Sequence, residues 1–137
     1  MNEIIYSVEK SLSPDEFLEV LKSSTLAERR PIDDEQRIIS MCNNANLIVT
    51  ARLDGFLIGV ARSITDFVYC TYLSDLAVDA RYQKKGIGKR LIKETKKLTP
   101  QAKLILLSAP AATDYYPKIG MTKHNHCFFI DDIGDLK

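Results

Sequence analysis

Gln83-Lys84-Lys85-Gly86-Ile87-Gly88 sets two glycines one residue apart behind a pair of cations, directly before a helix-like pattern. That combination suits an anion. The first N–H groups of a helix have no intrahelical partner, the helix dipole is positive there, and glycine lets a ligand approach the backbone. Lys84, Lys85, Lys89 and Arg90 add positive charge around the same point. A P-loop would need a glycine where Gln83 stands and Ser or Thr after Lys89, where Arg90 stands; a dinucleotide fingerprint would need glycine at Leu91. Neither pattern fits, and a turn before a surface helix uses Gly and Lys without binding anything. Tyr115-Tyr116, seen alone, reads as a pair of core aromatics. His124-x-His126 has no second cluster to complete a metal site, so no metal is expected.

These groups have to be held by a fold, and its elements can be read in order. Residues 3–9 form a strand pattern. A helix follows from Ser13, with Pro14 at its first position and Phe17, Leu18 and Leu21 at helical spacing. "TLAERRPI" reads as a loop, and Asp33 to Asn43 as a second helix. Asp54-Gly55 joins two apolar runs, a strong hairpin signal. Residues 67–79 make a long aromatic and β-branched strand, and Gly86 to Leu98 an amphipathic helix stopped by Pro100. "AKLILLSA" is a short apolar strand of the kind covered on both faces. A short helix over 111–119 ends at Gly120, one more short strand is open around 121–123, and "HCFFIDD" reads as the last strand. The order β-α-α-β-β-β-α-β-α-β predicts an α+β sandwich: a mixed, mostly antiparallel central sheet with helices on both faces.

At 137 residues, with no linker or repeat, one domain spanning the whole chain is expected. Nineteen basic and eighteen acidic side chains give a net charge of +1, which argues against a general nucleic-acid binder. The cysteines Cys42, Cys70 and Cys127 lack metal spacing and read as free thiols of a reducing compartment. No signal-peptide pattern and no membrane-length apolar run is present, so a cytoplasmic protein without a membrane partner is expected.

Q-x-x-G-x-G between a strand ending in Leu76-Ala77-Val78 and an amphipathic helix resembles the acyl-CoA-binding signature of the GCN5-related N-acetyltransferase (GNAT) family. "DYYPKIGM" at 114–121 is similar to the family's F-Y-x-K-L-G-F run, with Met121 in place of an aromatic. The resemblance covers nearly the whole chain and implies the acyl-CoA N-acyltransferase fold. It also implies acetyl-CoA as co-substrate and an amine as acceptor. Residues Gln83, Lys84, Lys85, Gly86, Ile87, Gly88 and Lys89 would wrap the pyrophosphate. The backbone of Leu76, Ala77 and Val78 would pair with the pantetheine amides, as a peptide adds to a sheet edge. Tyr116 stands where a tyrosine protonates the departing thiolate. Ser108-Ala109 replaces a common asparagine, which puts cofactor contacts there in doubt.

The implied reaction is direct attack of a neutral amine on the thioester, with the oxyanion held by a backbone N–H near Val78. Asp75 is expected as base or as anchor of a water chain, the alternative being a structural carboxylate. Tyr72 is expected to line the acceptor pocket. Arg29 and Arg30, in the loop that covers the acceptor in this family, either meet an acidic substrate or form a solvated cluster. Pairing into a homodimer through sheet edges or C-terminal strands is also what the resemblance implies. A CoA sensor without transferase activity is the alternative function, and a basic-helix nucleic-acid module a further one.

Overall fold

The computed structural model describes residues 2–137. It divides into two compact units, one running to Leu107 and one from Ser108 to Lys137. The first contains β1 (Ile4–Val8), α1 (Pro14–Ser23), α2 (Glu35–Asn44), β2 (Leu47–Leu53), β3 (Phe56–Thr65), β4 (Cys70–Val78), α3 (Ile87–Leu98) and β5 (Lys103–Ile105). The five strands lie in the order β1-β2-β3-β4-β5, antiparallel up to β4, with β5 parallel to β4. The fold is the mixed, mostly antiparallel sheet with helices on both faces that the element order predicts.

Helix starts follow their caps. Ser13 accepts from the Glu16 N–H and Pro14 opens α1; Asp34 accepts from the Arg37 N–H at the start of α2. On one side of the sheet Phe17, Val20 and Leu21 of α1 and Ile38 and Cys42 of α2 pack on Ile48, Val60 and Ala77. Ile87 and Leu91 of α3 pack with Val49, Ala51, Ala61 and Leu73 in a second cluster. Gly59 permits that approach: a Cβ there would lie 3.2 Å from Leu91 and 3.3 Å from Ile87. Asp54 and Gly55, with φ of 52° and 84°, make the two-residue turn their dipeptide announces.

Several strand expectations shorten. β5 keeps only Lys103–Ile105 of "AKLILLSA", and with Ile105 48% and Leu107 57% exposed this stretch is not covered on both faces. The Asp66 carboxylate accepts from the N–H groups of Val68, Tyr69 and Cys70, holding 66–70 as a turn, so β4 begins at Cys70 and not at Phe67. Asn46 joins the sheet only through its N–H to Ser63 O and its side chain to Thr65.

In the second unit, α4 (Tyr115–Lys118) is preceded by a 3-10 turn at Pro110–Ala112, so the helix expected over 111–119 is broken in two. The strands expected at 121–123 and in "HCFFIDD" do not form. Residues 121–130 make no strand ladder among the described residues, and Phe128 and Phe129 are 89% and 78% exposed. A β-prone composition needs a partner strand before it becomes a strand. Among the described residues no helix is long and apolar enough to cross a membrane, and the three cysteines are free.

Candidate active site

β4 carries an irregularity at the point where the chemistry is expected. Arg62 pairs with Asp75 but Ser63 pairs with Leu73, which leaves Ser74 as an extra residue on β4. On the other side of β4, β5 pairs only with Cys70, Thr71 and Tyr72. Beyond Tyr72 the two parallel strands part, so the edge of β4 through Leu76, Ala77 and Val78 has no strand partner on that side among the described residues. A ligand with amide groups could add there as a strand would. The Val78 carbonyl accepts from the Gln83 side chain at 2.8 Å, which ties the start of the glycine loop to the end of this edge.

The loop then delivers the helix. The Asp79 N–H donates to Ile58 O at 2.8 Å, and the Asp79 carboxylate accepts from both the backbone and the guanidinium of Arg81. Those Arg81 contacts hold the Asp79 carboxyl below its usual range. Lys84 and Gly86 are left-handed, with φ of 64° and 83°. Gly86 is the N-cap of α3 and supplies no side-chain oxygen, and the first turn holds no acidic residue. α1 and α2, by contrast, have side-chain caps and acidic first turns. The N–H groups at the start of α3 are thus offered with their dipole to an outside anion. Lys84, Lys85 and Lys89 are exposed beside them, the Lys85 ammonium 5.7 Å from the Tyr82 ring.

Arg90 is differently employed: its guanidinium lies 4.5 Å from the Tyr6 ring and 2.8 Å from Glu94. Lys96, which pattern alone places on the wet face, donates to Pro100 O at 3.2 Å and to Ala102 O, closing the C-terminal end of α3. A cleft of about 590 Å³ lies between α1 and the β2–β3 hairpin. Its walls include Asp15, Glu16, Glu19, Asp54 and Asp79 against one cation, Arg81, a net negative lining ill suited to phosphate.

Asp75 is fully buried, and its two oxygens accept from different arginines, Arg30 Nε and Arg62 Nε. Arg30 is therefore no solvated cation, whereas Arg29 is exposed and offers its carbonyl to Arg30. Tyr72 is half-buried opposite Ile105 where β4 and β5 still pair. Arg62 is a site residue that the sequence reading does not pick out; its signal is a charge inside the apolar strand "LIGVARSI", which must have a buried partner.

Tyr116 lies on α4 in the second unit. Its ring meets that of Tyr115 edge-on at 5.2 Å, and its carbonyl accepts from the Met121 N–H at 3.0 Å. Burial, with a smaller contribution from Tyr115, raises its hydroxyl above the ordinary tyrosine value. His126 N–H donates to His124 Nδ1 in the same unit.

A family model described as an acetyltransferase (GNAT) domain matches residues 10–133. No curated protein sequence matches the chain. Among solved structures, a GNAT-family acetyltransferase from Streptococcus pneumoniae TIGR4 superposes with a TM-score of 0.75 at 16% identity, over 94% of this chain and 98% of that one. Aminoglycoside N-acetyltransferase AAC(6')-Iy, solved with CoA, gives 0.74 at 14% identity, over 97% of each chain. An aminoglycoside acetyltransferase from an uncultured soil metagenomic sample, solved with sisomicin, gives 0.70 at 19% identity, over 94% and 95%.

Proposed function

The chain belongs to the GNAT acetyltransferase family, and from that premise we propose that it transfers the acetyl group of acetyl-CoA to a primary amine of a small molecule or protein. One observation carries the reading: the unpartnered edge of β4 runs directly into an α3 start with neither cap nor acid. Pantetheine amides pair with Leu76–Val78, and the pyrophosphate meets the N–H groups of Gly86 to Lys89 with Lys84, Lys85 and Lys89 around it. The amine nitrogen attacks the thioester carbonyl, a C–N bond forms and the C–S bond breaks. A backbone N–H near Val78 holds the oxyanion. The thiolate takes its proton from Tyr116, whose hydroxyl regains one from the proton the nitrogen sheds. The aminoglycoside relatives make a polyamine-like acceptor one class to screen.

Calorimetry with acetyl-CoA, followed by an amine panel read by CoA release, tests this. Binding with turnover of at least one amine supports it. No heat at tens of micromolar acetyl-CoA overturns it, and binding with no turnover on any amine turns the protein into a CoA sensor.

A further inference from the structure

Asp75 is the only acid on β4, and it is sealed. Arg62, from the neighbouring strand, is itself buried; besides Asp75 it reaches Met41 O of α2 at 3.1 Å and Ser74 Oγ at 3.0 Å. Arg30 arrives from the 3-10 turn that follows α1. Besides Asp75 it reaches Ser74 O at 2.9 Å and Arg29 O at 2.8 Å. Two separate parts of the fold, β3 through Arg62 and the turn after α1 through Arg30, thus grip Ser74 and Asp75, the bulged residue and its neighbour, immediately before the open Leu76–Val78 edge, and α2 braces Arg62 through Met41 O.

We infer that Arg30, Asp75 and Arg62 form a charge clamp that sets the β4 bulge and thereby the edge that receives acetyl-CoA, and that Asp75 takes no proton from the acceptor. Asp75 and Arg30 are positioning residues. The inference rests on acetyl transfer at β4. To act as a base, an Asp75 oxygen would have to release a guanidinium and turn neutral, leaving two arginines around an uncharged carboxyl in the protein interior. Cys42 of α2 also lies close enough to feel Arg62 and Asp75, and burial pushes its thiol up to about 11, so it is neutral at assay pH. Two cations and one anion leave a net positive charge here, which favours an acceptor that has lost its proton to solvent before it binds. The pH dependence of kcat/KM then follows the acceptor's own ammonium group.

Three variants decide it: Arg30→Ala, Arg30→Lys and Asp75→Asn. Hydrogen exchange without cofactor should quicken by about tenfold or more in Leu26–Arg30 and Ser74–Val78 for Arg30→Ala, with partial recovery in Arg30→Lys. Turnover should fall by about a hundredfold in Arg30→Ala, as expected for a misplaced reaction edge. In Asp75→Asn, kcat should fall while the pH limb stays where the acceptor's ammonium puts it. Loss or displacement of that limb in Asp75→Asn, or wild-type exchange in Arg30→Ala, overturns the clamp. Should Asp75→Asn not fold, the two Arg30 variants decide alone. A wild-type protein that fails to bind acetyl-CoA overturns the acetyl-transfer reading but not the clamp, because exchange is read without cofactor.

Discussion

Lys89 and Arg90 are adjacent cations at the start of α3, yet their surroundings separate their roles. Arg90 is held between the Tyr6 ring and Glu94, whereas Lys89 is exposed and has no ion-pair partner among the described residues. Lys89→Ala should therefore weaken acetyl-CoA in calorimetry by about three- to tenfold, the loss of one partly screened contact to phosphate. Arg90→Ala should leave that affinity near wild type and lower stability by under about 1 kcal/mol, since an exposed cation–π contact and a surface pair contribute little more. Tyr116 makes the sharper chemical prediction. Burial raises its hydroxyl above the ordinary tyrosine value of about 10, so the protonated form, the one that the proposed donor role requires, persists through that pH. Tyr116→Phe should cost about 10²- to 10⁴-fold in kcat with acetyl-CoA affinity kept. In the wild-type rate profile, no fall assignable to loss of this donor should occur below about pH 10. Equal kcat in the phenylalanine variant would remove Tyr116 from the mechanism.

Arg52 joins elements that pattern reading treats separately. From the end of β2 it reaches Glu9 after β1, Glu16 of α1 and the Gly55 carbonyl of the hairpin turn. Hydrogen bonds from Arg52 hold both carboxyls below their usual range. A carboxyl lowered on folding stabilises the protein fully above its unfolded value, about 4.3, and that contribution disappears as pH falls through the folded value. Arg52→Ala should lower stability at pH 7 by about 1 kcal/mol, a figure discounted because Glu16 is 39% exposed. That corresponds to roughly 4 °C in Tm. The gap to wild type should close below about pH 4, and a gap constant from pH 7 to pH 3 would assign the loss to packing. None of these partners is visible in the sequence, because ion pairs between residues 36 and 43 positions apart have no local signal. What was visible is local: the Ser13 and Asp34 caps, the Asp54-Gly55 turn, and the apolar spacing that puts Ile87 and Leu91 on the inner side of α3. The "HCFFIDD" stretch shows the same limit in reverse: its composition favours a strand, but only a neighbour can make one, and none pairs with it among the described residues.

For the whole chain, a net charge of +1 conceals a local concentration of cations at the start of α3. The glycine loop was legible because backbone chemistry fixes its residue types: Gly86 is left-handed, and the first turn of α3 carries neither cap nor acid. The clamp at Asp75 was half legible. The sequence leaves Asp75 open between a base and a structural carboxylate, and Arg30 between a substrate contact and a solvated cluster; the third member, Arg62, lies on another strand and has no local signal that pairs it with Asp75. Charge arrangement also separates a CoA enzyme from a nucleic-acid binder. Lys93 and Lys97 lie along α3 beyond the loop, but Lys97 faces Glu94 at 3.5 Å, Arg90 is occupied by the same carboxylate, and Lys96 is turned to the backbone. Few cations are left to run along a phosphodiester chain, and a protein that binds duplex through many phosphates loses affinity steeply with salt. On the proposed reading, in which backbone N–H groups hold most of the pyrophosphate, acetyl-CoA should lose no more than about tenfold in affinity between 50 and 200 mM salt, against about 10³-fold or more for a binder with six or more phosphate contacts. At 200 mM salt, saturation at 100 times Kd should raise stability by about 2.7 kcal/mol. Duplex DNA at the same salt should leave Tm unchanged. A Tm raised by duplex and indifferent to acetyl-CoA would make α3 a nucleic-acid surface and the uncapped start of that helix a site for a different phosphate.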